Sequence, residues 1–231
     1  MKISIGLVAN ANQVADKDAI AVQTLRQAGA VVYVKTTMPQ SGMVSIDSLC
    51  KSLNFFYLFF DTVQALETSS NLYGRTLNPF NTDLVCGGSS GGEGALNGCR
   101  GAPIGIATDI GGSIRAPASF NGLYGVRPTS RRFSYMGNGM VFSGQASILS
   151  TIGPVGRSLR DIELILKVWN DFEPWLYDPA VMAKKWESVP IPAKATIGVM
   201  YWDEVVMPHP PVQRALKTVV EKLKTAGHEG V

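Results

Sequence analysis

Histidine, cysteine and charge are all scarce in this chain, and each scarcity narrows what it can do. Only two histidines occur in 231 residues, His209 and His228, so a histidine-based metal site lacks ligands. The three cysteines, Cys50, Cys86 and Cys99, have no metal-ligand spacing, and pairing any two leaves one over. Free or buried thiols in a reducing compartment, the cytoplasm, are the expectation. Charged residues make up 17% of the chain, and 21 basic against 18 acidic residues leave a net charge of +3. With no basic block, neither nucleic acid nor an anionic membrane is expected as partner. No window reaches the about 18 apolar residues that a membrane span requires. The longest run, LNFFYLFF at 53–60, has less than half of that. The opening MKISIGLVANANQ is too brief for a secretory signal. No motif implies a metal or an organic cofactor, and oligomeric state is not readable.

What the chain has is apolar substance, at 45% of residues. That suits one domain with a sizeable core, or a part of a larger one. ADKDAIAVQTLRQAGA reads as a helix capped by Asp16 or Asp18, with Ile20, Val22 and Leu25 on its apolar side and Gly29 as its stop. AVVYV (30–34) follows as a strand expected to be buried on both faces. Glycine-rich loop chemistry then dominates 71–125, broken by short elements such as IGIAT. RSLRDIELILKVWNDF opens with a cap-like Ser158 and gathers Leu159, Ile162, Ile165, Leu166 and Trp169 on one helical side. ATIGVMYW (195–202) reads as a second buried strand, and PPVQRALKTVVEKLKTAG as an amphipathic helix begun by proline and ended by Gly227. Helices alternating with apolar strands predict an α/β protein. The sequence stops just after that helix, where another strand is expected to begin, as an interrupted fold would.

Two clusters carry the chemistry: GGSSGGEGA (87–95) and TDIGGSIR (108–115). A phosphate-binding P-loop needs Lys and Ser or Thr after its last glycine, whereas Glu93 and Gly94 follow Gly92, and a carboxylate there repels phosphate. GGSSGG also contains G-x-S-x-G, the elbow of a Ser-His hydrolase, but that requires an acid and a histidine to follow, leaving only His209 and His228 as candidates. Glycine and serine in loops that merely turn the chain are the plainer alternative.

Taken together, the two clusters, the ALNGCRGAPIGIA between them and the GLYGVRPT that follows (122–129) resemble the amidase signature family. The flanking DKDAIAVQTLRQAGAVVYVKTTMPQSGM and SNLYGRTLNPFN resemble its fungal general amidases. The resemblance implies an α/β fold with a mixed central β-sheet flanked by helices, and hydrolysis of a small carboxylic amide to acid and amine. It makes Ser113 the nucleophile and Ser89 the bridging serine, often held by a cis peptide. It sets the backbone N–H groups of Ile110, Gly111 and Gly112 around the oxyanion, and Gly42 near the substrate. The chemistry is coherent, because a serine hydroxyl needs a base to become nucleophilic, and a second hydroxyl can relay its proton to an amine. Asp109 and Arg115 are expected to support the loop, Ser90 to be a hydrogen-bonding neighbour, and Cys86 and Cys99 to pack rather than react.

Three departures qualify the resemblance. The family's catalytic lysine stands in a Gly-x-Pro-x-x-x-Lys-Asp segment that aligns ahead of Met1. Lys35, after the expected strand, is the alternative base, and Lys2 aligns beyond the motif. Residues 44–64, VSIDSLCKSLNFFYLFFDTVQ, have no counterpart. Their Val-Ser start and Gln end are what a retained short intron would encode, and an aromatic lid is the alternative. Finally, relatives run to roughly twice this length, so residues 1–231 are expected to be a partial amidase domain with little activity by themselves.

Overall fold

The computed structural model describes residues 2–42, 66–139, 144–190 and 192–230. They fall into two units, Met1–Trp186 and Glu187–Val231. The unmatched segment 44–64, its LNFFYLFF run and Cys50 lie outside the described residues.

In the first unit, α1 (Ile20–Gln27) buries Ala21, Thr24 and Leu25. Its start corrects the expected cap: Ala19 holds the N-cap position and no side chain caps it. Asp18 instead pairs with Arg26 at 2.8 Å. Gly29 stops the helix at φ +90°, a left-handed conformation that glycine adopts without steric cost. The AVVYV run is not the buried strand expected. Residues 30–34 pair with no strand among the described residues, and Val31 is 84% exposed. An apolar run becomes a buried strand only where neighbours supply a ladder and cover both faces, and none of the described residues does so.

Two short antiparallel pairs come next, β1 (Ser69–Ser70) with β2 (Gly74–Arg75) and β3 (Leu77–Asn78) with β4 (Asn81–Val85). Then follow α2 (Gly91–Gly98), β5 (Ile104–Asp109), α3 (Arg115–Phe120), β6 (Tyr124–Gly125), β7 (Thr151–Gly156) and α4 (Leu159–Asp171). Strands β5, β7 and β6 make an antiparallel sheet with β7 in the middle. Every residue of β7 is buried, and β5 alternates between buried and half-buried positions. Proline is unusual in a central strand because it cannot donate to the ladder. Pro154 fits because its carbonyl, accepting from Val126 at 3.2 Å, faces the side where β6 has already ended. The missing N–H faces the same way.

The core joins this sheet to two helices. Ile162, Ile165 and Trp169 of α4 pack with Ala21 and Leu25 of α1, Ile152 of β7 and Phe133. Trp169 Nε1–H donates to the Ala21 carbonyl at 3.0 Å, and its ring lies 5.4 Å from that of Phe133. Leu159, expected on this face, is 60% exposed, standing at the first helical position and at the edge of the stripe. Ser158 does occupy the N-cap, but its side chain makes no capping bond.

In the second unit, β8 (Thr196–Ile197) pairs in parallel with β9 (Glu229–Gly230), and α5 (Pro210–Thr225) connects them. The expected strand at 195–202 thus shrinks to two residues, neither of them buried. Helix α5 begins at its proline pair and ends before Gly227, as expected. Each described sheet is of one kind, antiparallel in the first unit and parallel in the second, and with the helices beside them the architecture is α/β.

Candidate active site

Strand β5 delivers Asp109 to its carboxyl end, and Asp109 folds the loop that follows. Its side chain is fully buried. Oδ1 accepts the Gly112 N–H at 2.7 Å, and Oδ2 accepts the Ile114 N–H at 3.0 Å. The Arg115 guanidinium clasps both oxygens, through Nε at 3.0 Å and a terminal nitrogen at 3.1 Å. Arg127 Nε stands 3.5 Å from Oδ1. Burial by itself would raise the Asp109 pKa, but bonds from Arg115, Gly112 and Ile114 outweigh it and hold the carboxyl below its ordinary range. Asp109 and Arg115 are thus the loop support that the sequence suggests. Arg127, bonded also to the Leu149 carbonyl at 3.2 Å, is a partner that sequence reasoning missed.

This knot turns the backbone so that Ser113, 8% exposed, sits between β5 and α3. Gly112 makes the turn at φ +127°, where a side chain would be strained. Its N–H is committed to Asp109, which corrects the expectation that it is a free donor. The N–H groups of Ile110, Gly111 and Ser113 have no hydrogen-bond partner among the described residues. One short loop thus keeps three unclaimed backbone donors, and runs of such donors can receive negative charge.

The second cluster forms the approach to α2. The Gly88–Ser89 peptide is cis, and Ser89 is 6% exposed. The Ser90 N–H donates to the Ser113 carbonyl at 3.3 Å, which joins the two clusters through their backbones. No hydrogen bond joins the Ser89 and Ser113 hydroxyls. Helix α2 holds itself to β5 by side chains three residues apart. Ser90 Oγ accepts the Thr108 N–H and donates to its carbonyl, both at 3.3 Å, while the Ile106 N–H lies toward the Glu93 carboxyl and acts to lower its pKa. Residues 106 and 108 are alternate positions on the edge of β5 facing away from β7, where N–H groups would otherwise lack partners. Glu93 Oε2 also takes the Thr36 hydroxyl at 2.7 Å. Burial pushes its pKa up, against those donors and Asn97.

The other candidates stand apart from this knot. Gly42 closes a short 3-10 turn, its N–H on the Pro39 carbonyl at 2.9 Å, and no hydrogen bond among the described residues links it to either serine. Lys35 has an exposed side chain whose pKa desolvation lowers and Asp18 raises. No contact brings it to Ser89 among the described residues. His228 belongs to the second unit, where its Nδ1 accepts the Ala195 N–H at 3.2 Å, and His209 stands at the N-cap position of α5 there without a side-chain capping bond. Cys86 is buried, its thiol pushed up to about 11 by burial, so it is no nucleophile. Among the described residues no group of His, Cys, Asp or Glu could hold a metal ion, and no helix is long and apolar enough to cross a membrane.

The Amidase family model matches residues 1–48 and 61–231, and the chain belongs to that family. It is 49% identical over 217 residues to an amidase of Gibberella zeae, covering 94% of this chain and 36% of that one. It is 41% identical to an acetamidase of Emericella nidulans, covering 97% and 39%. Among solved structures, a fatty acid amide hydrolase superposes with a TM-score of 0.85 at 38% identity, over 98% of this chain and 37% of that one. The chain therefore spans between a third and two-fifths of the length of these relatives.

Proposed function

We propose that the natural protein hydrolyses a small carboxylic amide to its acid and ammonia or an amine. Ser113 Oγ attacks the carbonyl carbon, and its proton passes through the Ser89 hydroxyl to an amine base. The carbonyl oxygen, gaining negative charge, is met by the N–H groups of Ile110, Gly111 and Ser113. One such donor is typically worth about 3 kcal/mol to the transition state. Gly112 contributes its φ, not its N–H. Collapse of the tetrahedral intermediate expels the amine, which takes a proton as it leaves, and water then releases the acid from the acyl-serine. Gly42 borders the substrate in this reading. The observation that carries it is the buried Asp109 knot, which spends the Gly112 and Ile114 N–H groups on itself and leaves the donors beside Ser113 unclaimed.

The base is assigned, by the resemblance, to a lysine in a segment ahead of Met1. That lysine acts when neutral, so burial must lower its pKa. We also read residues 44–64 as an insertion foreign to the domain. The family match omits 49–60, inside that segment, in support. The free thiols of Cys86 and Cys99 favour a reducing compartment such as the cytoplasm. Coverage of little more than a third of its relatives supports the second reading, that this chain by itself is a non-catalytic fragment.

Alkyl fluorophosphonate labelling with peptide mapping tests the nucleophile. The label is expected on Ser113, absent in Ser113→Ala, slower in Ser89→Ala and unchanged in His209→Ala and His228→Ala. Label that depends on either histidine, or no label even in the full-length protein, overturns the mechanism, and label there but none on this chain favours the fragment.

A further inference from the structure

Ser89 needs its hydroxyl aimed, and the residues flanking it leave its backbone lightly held. The Gly88 side offers no side chain, and the Ser90 hydroxyl is occupied by Thr108. One side chain from elsewhere in the chain reaches both sides of Ser89. Thr68, 1% exposed, points its Oγ1 at the Gly87 carbonyl at 3.0 Å and the Ser89 carbonyl at 3.2 Å. The same oxygen accepts the Gly91 N–H at 3.0 Å. A hydroxyl has one proton and two lone pairs, so its proton is shared between the two carbonyls while a lone pair takes the Gly91 N–H. Gly87, Ser89 and Gly91 are thereby fixed to one atom.

The surroundings make the clamp stiff. A Cβ on Gly91 would lie 2.2 Å from Thr68 Oγ1, and one on Gly88 would lie 2.3 Å from the Glu67 carbonyl oxygen. The loop and residues 67–68 are thus pressed together without room for slippage. Thr68 is itself anchored, its carbonyl accepting the Thr76 N–H at 2.9 Å. Two residues earlier, Leu66 side-chain atoms would lie 3.5 Å from a Cβ on Gly112, so the same short segment borders the nucleophile loop.

We infer that Thr68 is a positioning residue for the proton relay: its hydroxyl sets the orientation of the Ser89 peptide and with it the Ser89 hydroxyl. The inference rests on the amidase reading above. Its consequence is specific to steps that move a proton. An amide must have its leaving nitrogen protonated, whereas an aryl ester expels a stable aryloxide without that help. Loss of the clamp should therefore slow amides more than activated esters.

The test compares Thr68→Val, which keeps the shape and removes the hydroxyl, with Thr68→Ser, which restores it, in the full-length natural protein. Thr68→Val is expected to lower kcat on an amide by about tenfold, the scale of one lost buried hydrogen bond, with KM little changed. The fall on the matching p-nitrophenyl ester should be under threefold by the same reasoning, and Thr68→Ser should regain most of the amide rate. Equal falls on both substrates, or a Ser variant no better than Val, overturn the inference, as does a Val variant with unchanged kcat. Ser113→Ala in the same assays separates this from failure of the reading itself. Retained hydrolysis there rejects Ser113 chemistry whatever Thr68 does.

Discussion

Asp109 and Glu93 are two carboxyls within one short stretch that the structure treats in opposite ways. Asp109 has guanidinium partners and backbone donors and is held ionised. Glu93 has donors but no cation and is pushed toward the neutral acid. An acid whose folded pKa is raised contributes its stability below the unfolded pKa and loses it as the pH rises through the folded value. Glu93→Gln, which keeps an acceptor for Thr36 and drops the charge, is therefore expected to raise the Tm at pH 8. The gain should shrink below the ordinary glutamate range, about pH 4.3. Thermal melts across pH check this, and a gain independent of pH would show that folding does not shift the Glu93 pKa. At this scale the sequence was informative about residues whose chemistry is local. Asp109, Arg115 and Ser113 lie within one motif, and their proximity follows from chain connectivity. Thr68 and Arg127 were not legible, because each acts across a contact distant in sequence that no spacing rule encodes. Gly112 was legible as glycine but not in its role, since which N–H its neighbour consumes depends on the loop's conformation.

Helix α2 is the element that sequence reasoning reads least well. GGEGALNG carries glycines that disfavour a helix interior, and the stretch reads as loop. It is helical because tertiary packing outweighs propensity: a Cβ on Gly92 would lie 2.3 Å from the Thr37 amide nitrogen, and one on Gly94 2.8 Å from Asn121. Its glycines admit the neighbouring chain rather than loosen the helix. Gly91→Ala therefore pits a propensity gain of about 1 kcal/mol against overpacking that typically costs about 1–3 kcal/mol. With Thr68 Oγ1 and Cys86 Sγ both within 2.6 Å of the new methyl, packing should win. Urea titration should give a lower midpoint with an unchanged slope, and a raised midpoint would mean the helix can shift outward. Helices α4 and α5 were legible because their apolar stripes repeat at helical spacing, though Leu159 shows how the edge of a stripe escapes burial. The strands expected at 30–34 and 195–202 fail for a common reason. A strand is a property of a pair, and an apolar run states only that it would accept neighbours.

For the whole molecule, the fold class was legible from alternation of helices with apolar runs, while the sheet order was not. The described residues of each unit leave large apolar side chains in water, among them Val31 at 84% and Val189 at 80% exposure. The relatives are more than twice as long, and surface of that kind is what further parts of a larger domain would cover. The gap in the family match at 49–60 bears on the same question from the gene side. If 44–64 is a retained intron, mature transcripts join the codon for Met43 to that for Ala65 in frame. Reading cDNA across this junction is expected to show that join, and codons 44–64 in every mature message would refute it. The glycine packing around Ser89 has a consequence of the same genetic kind. Every glycine codon begins GG, so any single-base change at either of those positions adds a side chain or stops translation. Where a Cβ meets backbone or a clamping hydroxyl, as at Gly88, Gly91 and Gly92, neighbouring codes offer nothing smaller to fall back on. In a library of single-nucleotide variants this run should be among the most depleted in the gene, a scar of contact density rather than of chemistry.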